Sequence, residues 1–95
     1  MSDLRPTSGA RFLLERERDD GSRAVYRAAV FTPDATYESR ATLVDDGTVE
    51  LAPTGAGDEL DAALAMFAKL TARGAAKRRD DGLVVWPARV LRWRP

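Results

Sequence analysis

The 95-residue chain contains no cysteine and no histidine. Without cysteine there is no disulfide framework, no thiolate metal ligand and no thiol nucleophile. Without histidine the commonest general base, the commonest transition-metal ligand and every serine-histidine relay are gone as well. Long apolar runs are also missing. No stretch approaches the ~20 residues that span a bilayer, and Met1 to Ala10 is short, polar and broken by Pro6 and Gly9, unlike a signal peptide. The sequence thus reads as a cytoplasmic protein with no membrane association, no metal and no cofactor. Lysine is scarce too: only Lys69 and Lys77 accompany 13 arginines, which together with abundant alanine reads as bacterial-type genome composition.

What remains is ordinary for a folded domain. Hydrophobic residues make up 44% and charged residues 32%, with a formal net charge of zero, far from the low-hydrophobicity, high-charge signature of disorder. The length suits one domain. Residues 1–9, with Ser2, Pro6, Thr7, Ser8 and Gly9, offer little to bury and read as a flexible leader; residues 10–95 read as a single α+β domain.

Asp-Asp-Gly occurs three times, at 19–21, 45–47 and 80–82. Glycine reaches positive φ without a Cβ clash and aspartate bonds to its own backbone, so each copy predicts a turn between extended segments. In the first segment, Arg11 to Arg18, Phe12 and Leu14 form an apolar face over the first half. Arg23 to Thr32 is a dense β-prone run, fit for burial on both faces and a central place in a sheet. Pro33-Asp34 ends it. Thr36 to Val44 then alternates Tyr37, Ser39, Ala41 and Leu43 against polar residues, and Thr48 to Ala52 continues with Val49 and Leu51. A four-stranded antiparallel meander results.

After Pro53 to Gly57 the period changes. Leu60, Ala63, Leu64, Phe67, Leu70 and Thr71 fall at helical spacing, Asp58 suits an N-cap, and Asp58, Glu59 and Asp61 suit the positive end of the helix dipole. Gly74 either stops this helix or lets it run on to Lys77, Arg78 and Arg79. Leu83 to Arg94 is expected to be a final strand, at an edge or bulged because Pro87 interrupts it. The predicted order is β-β-β-β-α-β, an order similar to that of small single-strand-binding folds, by architecture alone.

Charge is unevenly distributed. Residues 1–61 hold 7 basic and 13 acidic side chains, net −6, and residues 62–95 hold 8 basic and 2 acidic, net +6. Within the basic part Arg78, Arg79, Arg89, Arg92 and Arg94 are interleaved with Trp86 and Trp93, a mixture that can neutralise phosphates and stack bases. The competing reading makes the arginines a solvated face and the indoles core. Thr54 to Gly57 is a poor phosphate loop, because it lacks the third glycine and is followed by acids. The Asp pairs do not match a calcium loop. Every carboxylate falls in a turn, on a polar strand face or in the first helical turn, so no catalytic residue is assigned.

One helix covers one face of a five-stranded sheet and leaves the other face and the edges open. The sequence therefore points first to a non-catalytic protein-interaction or self-association module, a homodimer or a complex with a protein partner through a sheet face or edge strand. The alternative is single-strand nucleic-acid binding through Arg78, Arg79, Trp86, Arg89, Arg92, Trp93 and Arg94. On the open face Arg27, Glu38, Arg40 and Glu50 are expected to pair if they face one another.

Overall fold

A computed structural model describes residues 5–95, so Met1 to Leu4, the start of the expected leader, lie outside the described residues. Five strands, β1 (Ala10–Asp19), β2 (Arg23–Phe31), β3 (Thr36–Val44), β4 (Val49–Leu51) and β5 (Arg89–Arg94), form one antiparallel sheet in the order β4-β3-β2-β1-β5. A helix bent at Gly74, α1 (Asp58–Arg73) and α2 (Ala75–Asp80), covers one face. The fold is α+β, with the meander, helix and returning strand in the predicted order. The apolar run of β2 does lie at the centre of the sheet.

The strand pairing explains which side chains are buried. Phe12 and Leu14 of β1, Tyr26, Ala28 and Val30 of β2, and Ala41 and Leu43 of β3 share one face and pack against Ala63, Leu64, Ala68 and Ala72 of α1. The rings of Phe12 and Phe67 meet at 5.3 Å, tilted by 52°. Leu13, Ala29 and Phe31 point to the opposite face and form a second, smaller buried cluster with Leu91. The rest of that face is wet. Arg27 sits directly opposite Arg40 across β2 and β3, a like-charge pairing that costs stability unless each charge is answered. Arg27 lies between Glu15 and Glu38, and Arg40 pairs with Glu17 at 2.8 Å. Glu17 reaches across because the β1 to β2 register shifts between Arg16 and Arg18.

The three Asp-Asp-Gly copies fold in three ways. In the first, Gly21 takes φ 93° and Ser22 keeps a negative φ between the closing residues Asp20 and Arg23, the pattern of a type II′ hairpin. In the second, Asp45, Asp46 and Gly47 make a three-residue loop with the glycine at φ 92°. Aspartates brace both corners. The Arg23 N–H, then the Ser22 hydroxyl, hold the Asp20 carboxyl below its usual range, and the Thr48 hydroxyl and N–H do so for Asp46. The third copy is not a hairpin. Gly82 N–H bonds to the Arg79 carbonyl and Leu83 N–H to the Arg78 carbonyl, which is the Schellman end of α2.

Further expectations are corrected, and the helix end that the sequence left open is placed. Gly57, not Asp58, is the N-cap residue, and Asp58 begins the helix. Gly74 stays in the right-handed region, so hydrogen bonds continue through it from Gly74 N–H to Leu70 and from Arg78 N–H to Gly74. The helix both bends and runs on. Finally, Leu83 to Ala88 is not strand; only Arg89–Arg94 joins the sheet. Leu70 also leaves the predicted buried stripe and is 58% exposed, while Ala68 and Ala72 join the expected Thr71 in the core.

Candidate functional site

The segment from Leu83 to Ala88 is held by side chains instead of a ladder. Arg78 Nε donates to the Val85 carbonyl at 2.6 Å and its Nη2 to the Thr71 carbonyl at 2.5 Å. Arg16 donates to the Trp86 carbonyl at 2.7 Å, and the Tyr26 hydroxyl to the Pro87 carbonyl at 2.7 Å. Three successive carbonyls thus accept from side chains out of α2, β1 and β2, which satisfies backbone that Pro87 keeps out of a sheet. Burial pushes the Tyr26 phenol up to about 12, so it remains a donor. Gly74 makes room for the same arrangement: a Cβ there would meet the Arg78 guanidinium and make it shift.

Trp86 is 1% exposed in the main core and donates its indole N–H to the Gly21 carbonyl at 2.9 Å. Arg79 donates to the same carbonyl at 2.6 Å and pairs with Asp45 at 3.3 Å. Arg78, Arg79 and Trp86 therefore join the helix, the loop and two hairpin corners to one another. The remaining four candidates, Arg89, Arg92, Trp93 and Arg94, lie on β5 but divide between two faces. Arg89 and Trp93 share the open face with Leu91, whereas Arg92 and Arg94 share the helix-covered side with Val90.

Trp93 is 51% exposed, opposite Arg11 in the ladder, and its indole N–H bonds to the Ser8 carbonyl at 3.1 Å. Gly9, at φ 72°, leaves no room for a Cβ against the Arg94 carbonyl and Pro95, so the segment before β1 lies against the end of β5. Pro6, within the expected leader, is buried.

Among the described residues no strand pairs with the outer side of β5. The Arg16 N–H donates to the Ala88 carbonyl at 2.9 Å, and Arg89 faces Glu15 in register. In an antiparallel ladder, bonded and non-bonded pairs alternate, so Val90, Arg92 and Arg94 bond to β1 while Arg89, Leu91 and Trp93 turn their N–H and C=O groups outward. The Arg92 guanidinium folds back and donates to the outward Leu91 carbonyl at 2.8 Å. Beside this edge runs a groove lined by Phe67, Leu70, Pro87 and Val90, with Arg78 and Arg92 also lining it. From Leu83 to Pro95 there is no acidic residue.

The sequence singled out the arginines and tryptophans but not the groove. Helical spacing places Leu70 in the core, and nothing local marks Pro87 as a wall. Among the described residues no group of three or more acids could hold a metal ion, and no helix is long and apolar enough to cross a membrane. No protein-family model matches this chain, and neither does any curated protein or solved structure.

Proposed function

We propose that the protein is a non-catalytic interaction module that engages a protein partner through the outer edge of β5. One observation supports this reading above all: the outward backbone groups of Arg89, Leu91 and Trp93, which no strand pairs, run beside a groove that joins apolar walls to Arg78 and Arg92, with Leu70 exposed on its rim. An open, basic edge next to apolar surface is what strand addition uses, with main-chain bonds supplying affinity and side-chain pockets supplying specificity. The opposite edge, β4, is only three residues long. The open face over β1 to β3 is less suited, because Arg27 and Arg40 are already paired with Glu15, Glu38 and Glu17 and the cluster of Leu13, Ala29 and Phe31 is already buried. Amide hydrogen exchange before and after adding cell extract from the source organism tests the reading. Protection gained at Leu91 and Trp93 supports it, and unchanged exchange at both, with a constant sedimentation coefficient up to millimolar protein, refutes it.

A second reading, single-strand nucleic-acid binding, draws on the half-exposed Trp93 opposite Arg11. Against it, Arg78, Arg79 and Trp86 already have internal partners. Titration of a labelled oligothymidine at low salt decides it; binding that fails to appear, or that ignores added salt, removes the idea.

A further inference from the structure

We infer that the β5 edge accepts an extended segment in which acidic residues alternate with apolar ones, as a sixth strand of the sheet. This rests on the interaction reading above and names the chemistry of the partner. A strand added to β5 sends alternate side chains to opposite sides. Those on the helix side enter the groove over Phe67, Leu70 and Val90, which takes apolar side chains. Those on the open side lie along Arg89, Leu91 and Trp93. Arg92 lines the groove and Arg89 stands on the open side, so the edge carries a guanidinium on each of its two sides.

A second copy of the chain is the poorer occupant. Pairing β5 with itself would set three arginines of each copy along one short ladder with no acid between Leu83 and Pro95 to answer them, and like charges across a ladder are destabilising. Arg92 also has a defined part. Its bond to the Leu91 carbonyl occupies one outward acceptor in the free protein. An incoming backbone N–H takes that acceptor over and releases the guanidinium to a carboxylate, so a bond from the cation to a neutral carbonyl is exchanged for one to a charged carboxylate.

The test uses the uniformly labelled full chain and a capped hexapeptide alternating glutamate with valine or leucine, followed by amide exchange and chemical shifts. Protection should rise at Arg89, Leu91 and Trp93 and stay constant at Val90 and Arg92, whose N–H groups already bond to β1. Raising salt from about 50 mM to about 500 mM should weaken binding by at least about fivefold. Arg89→Pro, which removes an outward N–H without touching the β1 ladder, should weaken it by about tenfold or more, whereas Arg89→Gln should weaken it by only about two- to fourfold. Equal binding of a hexapeptide with lysine for glutamate, or no added protection at Leu91, overturns the acidic-peptide inference. If the lysine peptide or a second copy protects Leu91 instead, the interaction reading stands and only the partner's charge is wrong. If oligothymidine binds with the salt dependence of phosphate contacts while no peptide protects Leu91, the edge is a nucleic-acid surface and both readings fall.

Discussion

Leu83 to Ala88 and Arg89 to Arg94 are adjacent in sequence, both rich in apolar residues and both carrying one tryptophan, yet they are satisfied in opposite ways. In the first, the carbonyls of residues 85 to 87 each accept from a buried or half-buried side chain and Trp86 is sealed in the core. In the second, backbone bonds run to β1 on one side only, and Trp93 stands half in water. The difference shows that apolar density alone does not say where a chain will be buried. Donors on other elements decide it, here the distant Arg16 and Tyr26 and the nearer Arg78.

The contrast predicts a graded set of effects. Trp86→Ala should cost about 3–5 kcal/mol, since a cavity opens and the Gly21 carbonyl loses a donor; a urea midpoint that hardly moves would show that the first half is no better held than the second. Next comes an alkaline limb. The folded phenol of Tyr26 lies above its ordinary value of 10.0, at about 12, so stability is full below pH 10 and falls as pH rises toward 12. The loss should reach roughly 3 kcal/mol, and Tyr26→Phe should flatten that limb while itself costing about 1–2 kcal/mol at neutral pH for the hydrogen bond to Pro87.

Arg78→Met keeps much of the side-chain stem and removes the donors to Val85 and Thr71, for an expected loss of about 1–3 kcal/mol. Its signature should be faster amide exchange confined to residues 83 to 88. Smallest of all, Trp93→Ala and Arg92→Gln should change the stability read from urea unfolding by less than about 1 kcal/mol and show their effect in peptide binding. A stability loss at Trp93 equal to that at Trp86 would erase the distinction.

The meander was legible because its information is local. Alternation at Tyr37, Ser39, Ala41 and Leu43 set the buried face of β3, and the Asp-Asp-Gly corners at 19–21 and 45–47 set the hairpins. The dense run from Val25 to Phe31 announced a central strand. The third Asp-Asp-Gly misled, since the same φ preference that makes a hairpin corner also ends a helix, and the preceding Ala75 to Arg79 decides which. The basic, tryptophan-bearing site was half legible. Its residues were recognisable by type, but three of them turn inward because their acceptors, the carbonyls of Gly21, Thr71 and Val85, belong to other elements. Leu70 went astray because a helix stripe read from spacing alone does not reveal how far the sheet extends beneath it.

The doubly bonded carbonyl of Gly21 has a kinetic corollary. Its donors, Arg79 and Trp86, follow it by 58 and 65 residues, so the first hairpin can close early by itself while its corner stays hydrated until the distant partners arrive. Contacts of such long sequence separation are slow to form. Quenching of Trp86 emission should therefore lag behind the far-ultraviolet signal during refolding, making that indole a built-in clock for the final step of assembly.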